Sequence, residues 1–416
     1  MSYKLIAIAS LALAAYAAGA CADETDAPMF LFSGFGTFGV VHSSESKADF
    51  TATPFKPTGA GHSHTWSTDV DSLIAGQVTV DLTPQLSAVL QLMSEQNHDN
   101  TWRPHVEWAN IKYQLTPEFD VRLGRTALPI FMVSDSRKVG YTNPWVRPPI
   151  ELYDVVPVTS NDGVDASYRM PVGAATNTIQ ITAGRSNTKF PGGSGFGAGT
   201  ANSRNQLAFA DSFELEFATV HINYGQARVT IPQFGQLFDA FRQFGPQGTA
   251  LADKYDVNNT IVTFLGIGAG YDPGDWFVMG EWGREDAHSA LGAKTGWYVS
   301  SGYRFGKFTP YVTYARTKGG GNTSDPGLTV SALPPPLAEA AAGLNAALNS
   351  LLRSKVTQNT VSVGGRWDFM KNAAFKLQLD HTGHAAGSAG SLINLQPDFV
   401  PGGKVNVFSA TFDFVF

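Results

Sequence analysis

The chain of 416 residues holds a single cysteine, Cys21, so no disulfide can form within it. Charge is scarce as well: Asp, Glu, Lys and Arg together make 15% of the residues and sum to −6. That balance argues against a nucleic-acid partner. Long hydrophobic runs are missing too. After the first residues no apolar segment approaches the roughly 18 that a membrane-crossing helix requires, so helical spans are excluded. What the chain has instead is 43 Gly, 28 Phe, 13 Tyr and 8 Trp. Glycine and aromatics at low charge suit strands that turn one face to lipid.

The first residues predict export. Lys4 supplies a positive start, residues 5–19 carry no charge, and Ala20-Cys21-Ala22 before Asp23 fits a small-residue cleavage site. Residues 1–22 are therefore read as a signal peptide, cut after Ala20 or Ala22, and 23–416 as the mature chain. Ala18-Gly19-Ala20-Cys21 faintly resembles a lipoprotein box but lacks its large aliphatic residue. Cleavage after Ala22 would remove the only thiol.

Alternation at period two recurs through most of the mature sequence. In the last segment Phe408, Ala410, Phe412, Phe414 and Phe416 share one face, opposite Val407, Ser409, Thr411, Asp413 and Val415. Short turns, such as Thr83-Pro84, Thr116-Pro117 and Asp272-Pro273-Gly274, divide the segments into hairpins. The tally is sixteen strands, the first at 30–41 and the last at 404–416, joined alternately by seven short turns and eight longer loops. The loops fall at 42–68, 96–102, 126–161, 186–205, 232–256, 286–292, 318–355 and 382–403. This predicts an all-β fold: a membrane-spanning, antiparallel, up-and-down barrel with both termini at the turn end. Residues such as Asp81, Asp120, Glu214, Glu216, Glu281, Asp380 and Asp413 fall on the polar faces. Charges are tolerable there only if the lumen holds water, since burying them unpaired costs several kcal/mol.

The third long loop, 126–161, is rich in Pro and aromatic residues and too apolar for a disordered tail. Pro144, Pro148, Pro149 and Pro157 stiffen it against becoming a strand. With the leader, the sixteen strands, this loop and the terminal Phe416, the chain resembles Gram-negative outer-membrane porins. Gly124-Arg125 followed by Pro129 also resembles phosphate- and pyrophosphate-type porins over a short stretch, whereas the opening strand FLFSGFGTFGVV departs from the general-porin start. The resemblance implies a third loop folded into the lumen as a constriction, Phe416 as an assembly signal, a homotrimer, and a place in the bacterial outer membrane among its lipid and lipopolysaccharide. It also implies that loop acids Asp135, Glu151 and Asp154 face wall cations Lys112, Arg122, Arg304 and Arg366, with Asp120 and Asp368 beside them, creating a transverse field. The plainer reading is that Arg137, Lys138 and Arg147 pair with those acids to fix the loop. Both uses can coexist.

Other features carry less. His62 with His64, and His381 with His384, lack the further ligands that a stable metal site needs, so neither a metal nor a cofactor is expected. Residues 334–353 place Leu337, Leu344, Leu348 and Leu351 near one helical face, behind Pro336 at the helix start. Such a helix either packs on the loop crown or serves as a plug or docking element. No enzyme motif is usable: the glycines of 192–199 do not lead from a strand into a helix. The leading expectation is a porin passing small hydrophilic solutes and ions by passive diffusion. A channel selective for an anion or organic acid is the alternative, and a barrel acting as adhesin or anchor comes third.

Overall fold

The computed structural model describes residues 29–193 and 197–416. The expected signal peptide and part of the glycine-rich stretch lie outside the described residues. Sixteen long strands form the wall: β1 (Phe30–Ser43), β2 (Leu73–Thr83), β3 (Leu86–Glu95), β4 (His105–Gln114), β5 (Phe119–Ala127), β6 (Ser160–Val172), β7 (Ala175–Phe190), β8 (Gly199–Leu215), β9 (Ala218–Thr230), β10 (Thr260–Tyr271), β11 (Trp276–Ala287), β12 (Ala293–Tyr303), β13 (Phe308–Gly319), β14 (Thr357–Met370), β15 (Ala373–His384) and β16 (Lys404–Val415). Each pairs antiparallel with its sequence neighbours. The barrel closes because β1 pairs with both β2 and β16, in the second case from Phe35 opposite Val415 to Ser43 opposite Val407.

Closure is locked by glycine and phenylalanine. Gly34 and Phe416 exchange both backbone hydrogen bonds at 2.9 Å. A Cβ at Gly34 would meet the Phe416 ring at 2.4 Å and one at Gly36 the Phe414 ring at 2.6 Å, so both rings lie where any side chain would have blocked them. The stack Phe412, Phe414 and Phe416 continues along the outer face, with centroids 5.8 and 6.3 Å apart.

Alternation places the apolar set outside. Ile261, Leu265, Ile267 and Tyr271 of β10 are exposed, as are Val361, Val363 and Trp367 of β14. In a bilayer this exposure is favourable, and the closed ladder pairs the wall's backbone N–H and C=O groups except at its bulges.

Several strand ends shift by two to four residues from the sequence expectation, and two differences go further. β7 and β8 continue past a bulge at Gly184/Ser186, pairing Asn187 with Asn202 and Phe190 with Gly199, so the loop expected at 186–205 shrinks to a hairpin tip. These Ser, Thr and Asn residues lack an apolar face because neither side needs one beyond the bilayer, and period two fades though the ladder does not. Glu216, expected on the wall, instead occupies a turn at φ 47°.

The loops at the long-loop end carry helices. α1 (Ile150–Tyr153) lies in the third loop, α2 (Pro232–Arg242) and α3 (Gly245–Tyr255) in the fifth, and α4 (Pro335–Arg353) in the seventh. The expected helix at 334–353 is therefore present. It packs on the fifth-loop helices, burying Phe238, Phe241, Leu251, Ala341, Leu348 and Leu352 in a small separate core. This is the crown arrangement. The helices of 232–256 were not expected; Phe234, Phe238 and Phe241 behind Pro232 at the first helical position are the signal that could have announced α2.

Candidate functional site

The third loop enters the barrel and fills much of it. It leaves β5 at Ala127 and returns at Ser160. Leu128, Ile130, Phe131, Trp145, Leu152 and Tyr153 are buried against lumen-facing Ala208, Phe264, Phe277, Met279, Tyr298 and Tyr311. The inner face of β10–β13 is thus an apolar bed rather than the water-lined polar surface expected all round. Phe131 stacks 4.5 Å from Tyr153, and Trp145 meets Tyr298 edge-on at 5.5 Å. At roughly 25 cal/mol per Å², a buried ring of about 200 Å² contributes about 5 kcal/mol of transfer free energy before ordering costs. Several such rings hold the loop in place.

Polar contacts then fix its position. Trp145 Nε1 donates to Ser300 Oγ at 2.8 Å and to Thr313 Oγ1 at 3.1 Å. Arg147 forms a fork with Asp71 at 2.6 and 2.8 Å, and also reaches Asp380 at 3.2 Å and Ser409 at 2.6 Å. Such a bidentate guanidinium–carboxylate pair is among the stronger and more directional contacts available. Glu281 on β11 accepts from the Tyr153 hydroxyl at 2.5 Å, from Tyr298 at 2.8 Å and from the Met132 N–H at 2.8 Å. On the far side, Lys138 donates to Glu95 at 2.7 Å and Glu107 at 3.1 Å. The loop therefore spans the lumen from β3–β4 to β11 and β15.

The expected site residues sort into three groups. Arg366 is buried under the loop, donating to the carbonyls of Tyr141 at 2.5 Å and Asn143 at 3.0 Å, with Asp368 beside it at 2.7 Å. Arg304 lies past the end of β12 and pairs with Asp272 of the neighbouring turn at 2.7 Å. Neither meets a loop carboxylate. Glu151 is turned to Gln358, at 2.7 Å, and Thr360, and burial pushes its carboxyl up. The second group pairs within the loop or with wall acids. Arg137 lies 3.5 Å from Asp154 and over the Tyr153 ring, while Lys138 and Arg147 take wall acids that the sequence had not singled out, Glu95, Glu107 and Asp71.

The third group stays partly accessible on the inner wall and on the facing limb of the loop. Lateral pairing across β2–β7 aligns Asp81, Ser87, Lys112, Arg122, Asp165 and Thr182 in one row. Arg122 is oriented by Asp165, at 2.6 and 2.8 Å, and Lys112 lies 3.6 Å from Asp120. Lys112 keeps 26% and Arg122 22% of its side chain exposed, against 0% for Lys376 beneath the loop. Asp135, on the first limb of the loop, is within electrostatic reach of Arg122. Of the expected opposed pairs, this is the one the fold brings together.

Lys376 and Tyr311 had no sequence signal beyond strand parity. Lys376 donates to the carbonyls of Gly140 at 2.6 Å and Trp145 at 2.8 Å, and Tyr311 to Gln378 at 2.7 Å. Gly124 and Arg125 both make wall contacts. Gly124, at φ +128°, has no space for a Cβ, which would meet the Ala109 carbonyl at 2.2 Å. Arg125 ties β5 to Asp162 at 2.6 and 2.8 Å and to the Val106 carbonyl at 2.9 Å. His381 bonds Asn406 while His384 is buried, since residues three apart on a strand take opposite faces.

Asp154 gives the loop a pH dependence. Burial raises its carboxyl from 3.8 to about 6, although Arg137 and Lys294 oppose the shift. The folded state then binds more protons than the released loop between about pH 4 and 6, so seating weakens as pH rises through that window. Current fluctuations from loop movement should accordingly be more frequent at pH 7 than at pH 4.5. Asp154→Asn should flatten this dependence.

Comparison with known proteins agrees with the geometry. The barrel superimposes on the anion-selective porin from Comamonas acidovorans with TM-score 0.53 at 11% identity, covering 93% of this chain and 99% of that one. It matches outer-membrane-expressed OmpT of Vibrio cholerae with TM-score 0.52 at 10% identity, covering 94% and 99%. The outer membrane channel DcaP of Acinetobacter baumannii gives TM-score 0.53 at 9% identity, covering 93% and 97%. At such identities the likeness is one of fold. No curated protein matches the sequence significantly. The family comparison is independent of these superpositions: residues 9–388 match the Gram-negative porin family, and the chain belongs to it.

Proposed function

We propose that this outer-membrane channel conducts small hydrophilic solutes and ions through the gap between the first limb of the third loop and the wall row on β3–β6. The observation that carries the reading is the asymmetry of the lumen. Apolar packing fills the side of β10–β13, while Lys112, Asp120, Arg122 and Asp135 stay partly accessible on the other. A mouth of about 650 Å³ at the long-loop end is bordered by Glu107, Arg125, Arg137 and Lys138. Solutes would meet opposed charges there, with transport requiring no catalysis or cofactor.

The proposal includes the chain's disposition. Residues 1–22 are removed on export, the termini and short turns face the periplasm, and the helical crown faces outward. The lipid-facing aromatic surface contacts outer-membrane lipid and lipopolysaccharide. A homotrimer is the proposed assembly. The in-vitro-folded OmpT of Vibrio cholerae, 10% identical with TM-score 0.51, is described in a trimer form. A channel selective for an anion would want a basic ladder of Arg122, Arg304 and Arg366 converging on the constriction; of these only Arg122 lies at the gap, with Arg304 on Asp272 and Arg366 on loop carbonyls, which favours general diffusion.

Planar-bilayer recording tests the reading. The wild type should show open-pore conductance without saturation by any one solute class. Lys112→Gln with Arg122→Gln should shift permeability towards cations by roughly two- to fivefold, the effect of losing two positive charges in a narrow aqueous section. Saturable block by one solute class would instead make the channel substrate-selective, and absence of ion current would refute it.

A further inference from the structure

We infer that the outer face of β11–β13 carries a binding site for a phosphorylated, multiply acylated glycolipid of the outer leaflet, a site separate from the lumen and its solutes. Strand pairing sets Trp282 beside Trp297 and Trp297 beside Arg316. One step nearer the long-loop end, Arg284, Thr295 and Lys318 form the next row. One step the other way, Ala269, Gly280 and Val299 form a row in which the small Ala269 and Gly280 leave a dent beside Val299. The result is an open groove of about 990 Å³ on the barrel exterior, with cations at its upper rim, two indoles at mid-height and a small-residue floor.

Each tier matches one part of such a lipid. Arg316 and Lys318 are exposed, and neither has a hydrogen-bond or ion-pair partner among the described residues. Arg284 is paired to Asp286 at 2.7 Å, so it contributes one arm of the rim rather than a free charge. Arg316 stands level with the tryptophans and Lys318 and Arg284 one step above them, on an outward face at the depth where headgroup phosphates lie and indoles anchor. The dent over Gly280 and Ala269 then accepts an acyl chain between Ile267 and Val299. The charge continues around the same rim, where Arg204 faces Arg228 across β8 and β9. A second copy of this chain would need an acidic counter-surface to cover these cations, whereas a phosphorylated lipid supplies the opposite charge and the acyl chain together. The inference rests on the outward orientation of the long loops.

The test uses the full-length folded protein in detergent, titrated with phosphorylated lipid A, with the same lipid dephosphorylated, and with inorganic phosphate, and read by native mass spectrometry. The wild type should retain phosphorylated lipid A. Arg316→Gln with Lys318→Gln should weaken retention by about tenfold or more, given two cations near the surface, while unheated gel mobility and channel conductance stay unchanged. Neither the dephosphorylated lipid nor inorganic phosphate should be retained or compete at equal concentration. Equal retention by wild type and variant would overturn the inference. So would competition by inorganic phosphate, which marks a free-anion site, or crosslinking of Trp297→Cys to its counterpart on another copy, which marks a protein interface.

Discussion

Excising residues 132–146 should raise single-channel conductance by roughly twofold or more, because conduction is governed by the narrowest and most charged section of a pore. The excised stretch contains the limb that faces Arg122 and the tip that Lys138 ties to Glu95 and Glu107. It also contains Trp145, buried on Ser300 and Thr313. The barrel should survive this loss. Its ladder closes between strands without help from the loop, and the wall charges uncovered, Lys376 with Asp413 at 3.0 Å and Arg366 with Asp368, would be left paired and wetted. Unchanged conductance would mean that the loop does not set the constriction.

The second large effect is expected at Arg147. Asp71 and Asp380 keep only 4% and 6% of their side-chain surface exposed, and both face its guanidinium. Arg147→Met would take the bonded guanidinium from two buried carboxylates, and breaking such a pair costs about 3–5 kcal/mol. Because the barrel ladder is unaffected, the cost falls on loop seating. The variant channel should flicker between the wild-type level and a larger one in single-channel records. Adding Asp71→Asn and Asp380→Asn should quieten it, since neutral amides relieve the repulsion without restoring the fork. A silent single variant would show that apolar packing alone holds the loop.

The barrel was legible because its physics is periodic. Phe408 to Phe416 alternates so strictly that one face must meet lipid, and turns such as Asp272-Pro273-Gly274 mark where strands reverse. Where periodicity stops, legibility stops with it. The β7–β8 extension carries no apolar face, so nothing in the spacing of Asn187 or Asn202 announces that they pair. The position of the third loop could be expected, but not what it leans on. Phe264, Phe277, Met279 and Tyr298 read as ordinary strand residues, and only the closed barrel shows them facing inward together. Charge pairing was the least readable part. Lys138 lies 43 residues from Glu95, and Arg147 lies 233 from Asp380, separations that sequence spacing does not connect.

The route through the lumen is the central claim, and thiol accessibility during conduction tests it directly. Ser87→Cys and Lys112→Cys lie in the open row, whereas Ser300→Cys and Thr313→Cys lie beneath Trp145, where the native side chains are 0% and 2% exposed. Introduced singly with Cys21 replaced, each is exposed to a charged, water-soluble thiol reagent while current is recorded across a bilayer. The account predicts a rapid stepwise current change for positions 87 and 112 and none for 300 and 313. Rapid current change at 300 and 313, with 87 and 112 silent, would contradict it.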